Sequence, residues 1–331
     1  MPMRIKKLDL DGKYTSLAVE YGREWIVLEK ALEESPNIVI KPYVNDLFAF
    51  VNYYKNNQRV VKDLLAKATP ATYATESMAE IKPFEPILFR DFMLSERHYV
   101  NSSRGMVKNY MPLLFPIVQL YEWVTRSTFP AFKPNKAFYK NPMYYKGNHL
   151  SIQSSGSIIE FPNYAKELDY ELEFGVILTK EIRNADEKTA IDAIGAICVL
   201  NDFSVRNVQL TEMRKTGAGP SKSKDFASAI SNVVVTADEI LPFIESLKAK
   251  VIINEKVVTE GTNQQLIFNI GQAISYASQG ETLYPGELLG TGTVPTCCGI
   301  ENGHFLKPGD HIRLEIERVG FVENTITQHK S

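Results

Sequence analysis

Apolar residues at helical spacing run from Asp46 to about Lys67. Leu47, Phe48, Val51, Tyr54, Val60, Leu64 and Leu65 share one face and predict a helix. Before it, short alternating or apolar pieces predict strands at Arg4–Leu10, Thr15–Val19 and Ile38–Lys41. Pro70, Pro83 and Pro86 then punctuate the chain, which suggests a small N-terminal domain over 1–85 and a larger domain over 86–331. From Phe84 onward the pattern is mostly that of strands, expected at 149–153, 157–161, 169–178, 230–236, 248–253, 285–290 and 310–318. Asn254-Glu-Lys reads as a hairpin turn. Helices are expected at 187–199, capped by Asp186, and at 263–279, capped by Asn263. Runs of strands broken by a few helices predict an α+β, mainly β fold. The strict βαβ alternation of a dinucleotide-binding fold is missing.

Composition narrows the classes without choosing among them. The 331 residues are 44% hydrophobic and 23% charged, and carry a net charge of −2, with no basic stripe to attract a nucleic acid. Cys198, Cys297 and Cys298 match no zinc-ribbon or disulfide framework and read as small buried residues in a reducing compartment. The start of the chain lacks an apolar leader, and apolar runs fall short of the ~18 residues of a membrane span. A cytoplasmic protein without membrane or nucleic-acid partners is expected.

The acids change the picture. Asp169, Glu171 and Glu173 alternate along one strand, and residues i and i+2 of a strand share a face about 7 Å apart. Two readings fit: an exposed strand whose acids pair with lysines across the ladder, or a cation site, since like charges packed together repel unless neutralised. Asn201-Asp202 downstream favours the cation. Oxygen-only donors select Mg²⁺, Ca²⁺ or Mn²⁺ over softer metals. Upstream, Asp91 is followed by Ser95-Glu96-Arg97-His98, and a histidine near such a site can take a proton from water around neutrality. His149, His304, His311 and His329 have no comparable setting. Gly217–Lys224 lacks the spacing of a phosphate loop, and Gly290-Thr-Gly-Thr293 is too short for a dinucleotide fingerprint, although either can cradle an anion with backbone N–H groups.

Asp91-x6-His98, Glu171-Leu-Glu-Phe-Gly175, Asn201-Asp-Phe-Ser-Val-Arg-Asn-Val-Gln209, Lys224-Asp-Phe and the closing Gly290-Thr-Gly-Thr-Val-Pro follow one another in the order of the fumarylacetoacetate hydrolase family. The resemblance covers roughly residues 84–320 and is nearer to the fumarylacetoacetase type than to the short acylpyruvase type. It implies a fumarylacetoacetase-like mixed β-sandwich roll with a smaller N-terminal domain. It also implies a divalent cation, Mg²⁺ or else Ca²⁺ or Mn²⁺, held by Asp91, Glu171, Glu173 and Asp202, with Asp169 left to a structural role. His98 would activate water and Glu301 would orient it. Short members carry a glutamate three residues after the histidine, where this chain has Asn101. Lys224, Arg206 and Gln209 would face the developing charges, and Tyr145 and Thr293 would contact substrate. The arginine the family places beyond its histidine has no aligned match here; Arg104 and Lys108 lie nearby, and Arg104 is kept as a substrate-binding candidate. Met93 and Met213 replace tyrosines that read the substrate's acid tail. The implied activity is metal-dependent hydrolysis of a carbon–carbon bond in a β-diketo acid by a homodimer. The alternatives are a decarboxylase or isomerase of an oxo acid in the same pocket, or a non-catalytic metal-binding member.

Overall fold

The computed structural model describes residues 3–328 except 11, 13 and 38, together with all their side chains but those of Arg214 and Lys215. His329 and the first residue of the expected strand Ile38–Lys41 lie outside that set. The fold is a mixed α/β arrangement of several sheets, none of them closed into a barrel among the described residues. The main path of a 12-stranded sheet runs Glu24–Val27, Tyr14–Tyr21, Arg4–Leu10, Val233–Thr236, Ile194–Asn201, Leu172–Leu178, Glu287–Gly290, Leu88–Phe92, Tyr144–Gly147. A five-stranded sheet, Lys256–Thr262, Lys248–Ile253, His311–Ile316, Gly320–Gln328 and Ile158–Phe161, packs against it.

The central strands are buried on both faces, which explains their unbroken apolar runs. Leu172, Phe174, Val176 and Leu178 share one core with Ile312, Leu314 and Val322 of the smaller sheet. On the other face Ile177, Ala196, Cys198 and Leu200 meet Phe50, Val51, Tyr54 and Val61 of the helix Leu47–Ala66. That helix starts where Asp46 Oδ1 accepts the N–H groups of Phe48 and Ala49. Since Arg4–Leu10 pairs antiparallel with Val233–Thr236, the boundary proposed at residue 85 runs through a shared sheet and a shared core.

Several expected elements move. Asp186 does cap a helix, but it ends at Ala193 and the next eight residues, Ile194–Asn201, form a central strand. An all-apolar run fits a buried strand as well as a buried helix, and pairing on both sides decides the matter. The cap of the later helix is Asn269, locked in a capping box with Gln272, and the helix spans Ile270–Ala277. Asn263 is buried outside it. Residues 39–43 form a turn and the 3-10 helix Lys41–Tyr43, and His149–Ser151 is likewise 3-10 before the strand Ile152–Ser154. The hairpin holds: Asn254 and Glu255 take φ values of 49° and 63°, as a two-residue turn of this hand requires. Two helices, Glu96–Tyr110 and Phe115–Thr125, stand where strands dominate the sequence pattern.

Candidate metal centre and active site

Strand register gathers the acids. Leu88–Phe92 lies parallel to Glu287–Gly290, with Asp91 opposite Gly290, and Gly290 in turn lies opposite Gly175. A Cβ on Gly290 would come within 2.5 Å of Asp91 Oδ1 and 2.6 Å of Glu173 Oε2, so glycine leaves the space into which both carboxyls turn. Leu172 is paired with Asn201, and the Asp202 N–H donates to the Glu171 carbonyl at 3.0 Å, which brings those two side chains together. The strand expected over 169–178 is interrupted. Leu168–Asp169 pairs with Ser204–Val205 and the main strand begins at Leu172, so Asp169 belongs to a different ladder from Glu173.

Carboxylate oxygens of Asp91, Glu171 and Asp202 lie within 4.8 Å of one another. Glu173 stands beside Asp91 but outside that set, and its Oε2 accepts the Gly292 N–H at 3.0 Å. Tyr145 and Ser228 donate to the two oxygens of Asp202, at 2.6 and 2.9 Å. Lys224 donates to Glu171 Oε2 at 2.5 Å and to Asp202 Oδ2. Arg206 binds Asp169 and Glu171, each at 2.6 Å, and donates to Gln209 Oε1. Two of the three acids that the exposed-ladder alternative paired with lysines, Asp169 and Glu171, thus do have cationic partners, but inside the protein.

Five buried carboxyls, Asp91, Asp169, Glu171, Glu173 and Asp202, face two buried cations, Arg206 and Lys224. The imbalance falls on Asp91 and Glu173. Burial, with Asp202 close by, pushes the Asp91 carboxyl up to about 8, and burial beside Asp91 raises Glu173 well above the usual range. Burial would also raise Glu171, but Lys224 and Arg206 reverse this and hold it well below the ordinary carboxylate value. Lys224 would be lowered by burial, yet Asp202 and Glu171 raise it, so it stays an ammonium. The site fits a hard divalent cation on three counts: an all-oxygen donor set, a charge deficit, and Asp91 Oδ1 buried without a hydrogen-bond partner.

His98 sits beside this cluster on the helix Glu96–Tyr110, whose cap Ser95 accepts the His98 N–H at 3.2 Å. Its ring is buried, with Nδ1 2.5 Å from Glu301 Oε1. The other oxygen of Glu301 accepts from Asn101 Nδ2 and from the Thr296 N–H, both at 2.9 Å. Glu301 rides on the short helix Gly299–Asn302, whose Gly299 and Ile300 N–H groups donate to the Asp169 carboxylate at 2.5 and 2.8 Å. Asp169 therefore ties the Glu301 helix to Arg206. Asn101 has a similar positioning part that the sequence reading did not assign, although its place one helical turn after His98 was a usable sign.

Asp91, Glu171, Glu173 and His98 face one cavity of about 420 Å³, whose wall also includes Tyr145, Arg206, Gln209, Lys224 and Thr293. Gly219 and Pro220 of the first glycine-rich stretch and Gly292 of the second also reach it. Arg104 does not. Its guanidinium binds Glu122 at 2.9 Å and donates to Asn101 Oδ1 at 2.9 Å, so it braces the residue that holds Glu301. His149, His304 and His311 lie off the cavity wall, and the three cysteines are buried and unpaired. No helix is long and apolar enough to cross a membrane among the described residues.

Fold and site together define a mixed-sheet protein with a buried carboxylate cluster suited to a divalent cation and, on the same cavity, a histidine backed by a buried glutamate. The family described as fumarylacetoacetate (FAA) hydrolase C-terminal matches residues 119–327, more than half of the chain, and the chain belongs to that family. It is 31% identical over 196 residues to a fumarylacetoacetate hydrolase domain-containing protein 2 homolog of Dictyostelium discoideum, covering 56% of this chain and 64% of that protein. It is 27% identical over 297 residues to the 4-hydroxyphenylacetate degradation bifunctional isomerase/decarboxylase of Escherichia coli, covering 81% of this chain and 65% of that one. The chain thus spans just under two thirds of the length of these relatives. A fumarylacetoacetate hydrolase from Exiguobacterium antarcticum shares the fold, with a TM-score of 0.65, 17% identity and coverage of 99% of this chain and 100% of its own. So does a maleylpyruvate hydrolase from Sphingobium, solved with manganese(II) and pyruvate, with a TM-score of 0.66, 17% identity and coverage of 99% and 100%. The family's members are enzymes whose names include hydrolase, isomerase, decarboxylase and tautomerase.

Proposed function

We propose that the protein hydrolyses a carbon–carbon bond in a β-diketo acid, with a divalent cation bound at Asp91, Glu171 and Asp202 and Glu173 behind them. The observation that carries this reading is the buried His98–Glu301 pair beside the carboxylates, because only hydrolysis needs a base for water. When bound, the cation would polarise the oxygens of the keto acid. Glu301 accepts from Nδ1–H and leaves the Nε2 lone pair of His98 to take a proton from water. The hydroxyl so formed adds to the distal carbonyl, whose oxygen gains the negative charge. Lys224, held charged by Asp202 and Glu171, is the nearby donor for that oxygen, with Arg206 and Gln209 behind it. The bond between that carbon and its neighbour then breaks, its electron pair leaves with the neighbour, and a proton returned from His98 completes the second product. Tyr145, kept protonated by burial and by Asp202, fixes the Asp202 carboxylate.

Turnover of a panel of 2,4-diketo acids, with Mg²⁺ or Mn²⁺ and with EDTA, tests the proposal. Cleavage to the tail's carboxylic acid and pyruvate is expected with the metal and none with EDTA. Release of CO₂ or tautomerisation without cleavage would move the protein to the decarboxylase or isomerase reading. Melting should rise with the metal by the equivalent of about 2.7 kcal/mol at a hundredfold excess over the dissociation constant. No shift with any divalent cation would remove the metal from the scheme.

A homodimer is proposed as well. The outer face of the helix Phe115–Thr125 and its approach leave Leu113 90% exposed, Ile117 61%, Leu120 60% and Trp123 66%, the kind of exposed apolar face that marks an interface. Sedimentation should give twice the chain mass, and Leu120→Asp with Trp123→Asp should halve it. A dimer that survives the double substitution would place the interface elsewhere.

A further inference from the structure

The cavity wall divides by chemistry. Among the described residues its charged groups are Asp91, Glu171, Glu173, His98 and the cations Arg206 and Lys224. Both cations already hold carboxylates of the protein, Arg206 those of Asp169 and Glu171, Lys224 those of Glu171 and Asp202. Much of the remaining wall is carbon and sulfur: Met93, Met106, Phe132, Phe138, Met143 and Met213. Phe132 and Phe138 are buried at 2% and 4% exposure and give it fixed sides. The methionines are unbranched and polarizable, and they adapt to a flexible apolar guest. The polar groups interspersed there include the hydroxyls of Tyr99, Ser102 and Ser103, which carry no charge to balance an anion. Among the described residues, a carboxylate at the far end of a substrate would lose its water without gaining a free cation. A methylene chain would gain by the same burial, each buried methylene contributing about fourfold to the binding constant.

We propose that the keto acid this site takes ends in an uncharged, apolar acyl tail, seated against the methionine and phenylalanine wall, and not in a second carboxylate. The proposal rests on the diketo-acid reading above and narrows its substrate class. Calorimetric titration of the Mg²⁺-loaded His98→Ala protein keeps the ligand intact and reads binding apart from turnover. The probes are 2,4-dioxononanoate and the diacid of the same length. The monoacid should bind about tenfold tighter or more, and Met106→Lys, with Met143→Lys as a second and more exposed site, should narrow or reverse the preference. A diacid that binds equally or better before substitution, or a preference that neither lysine alters, overturns the apolar tail and leaves the diketo-acid reading standing. If neither acid binds at millimolar concentration, the diketo-acid reading itself fails and the tail falls with it.

Discussion

Replacing His98 with alanine is expected to lower the turnover of a cleaved diketo acid by about 10²–10⁴-fold, the usual contribution of a positioned general base. The metal-induced rise in melting temperature should survive, because no oxygen of the Asp91, Glu171 and Asp202 set belongs to this residue. Glu301 loses one partner but keeps Asn101 and the Thr296 N–H, so the short helix that carries it should stay in place. Stability should fall by only about 1–3 kcal/mol, the range for one broken buried hydrogen bond. Glu301→Gln should follow in the same direction with a smaller loss, since glutamine can still meet Nδ1 but cannot stabilise the charged ring. Steady-state kinetics and thermal melting on the same samples make the check. Undiminished carbon–carbon cleavage by His98→Ala would refute His98 as the base that activates water, whereas release of CO₂ or tautomerisation in place of cleavage would favour the oxo-acid decarboxylase or isomerase.

How much of this site was legible beforehand depended on the range of the interaction. Glu171 and Glu173 sit two residues apart, and alternation along a strand is a local property that sequence shows directly. Their convergence with Asp91 depends on strand order, with Gly290 between Asp91 and Glu173, and no spacing contains that information. The His98–Glu301 contact spans 203 positions and came only from the family resemblance. The helix Glu96–Tyr110 escaped the periodicity because its inward residues are divided between an apolar core and a polar cavity. Val100 and Val107 meet the core while His98 and Ser102 face the cavity, so no single apolar stripe marks it. Arg104 shows the opposite hazard. A charged residue near the base in sequence was expected in the pocket, and the helix turns it toward Glu122. Asp169 was set aside as structural, and its carboxylate proves to hold both the Glu301 helix and Arg206.

Lys224→Met tests the charge balance that ties stability to the site. The ammonium is 5% exposed and touches Glu171 and Asp202, so its removal leaves two buried carboxyls short of one counter-ion. Breaking a buried ion pair from one side costs about 3–5 kcal/mol, which for a chain of this size lowers the melting temperature by roughly 4–7 °C. Methionine fills much of the vacated volume, so little of that loss should come from packing. A divalent cation can supply the missing charge. The melting gap between EDTA-treated and Mg²⁺-treated protein should therefore widen in the variant, whereas His98→Ala should leave it unchanged. Turnover should nevertheless remain low with the metal bound, by about 10²–10³-fold, because the donor to the developing oxyanion is gone. An EDTA-treated variant that melts with the parent protein would show that Glu171 and Asp202 do not depend on Lys224. A gap that fails to widen would mean that cation and ammonium do not share those two carboxylates.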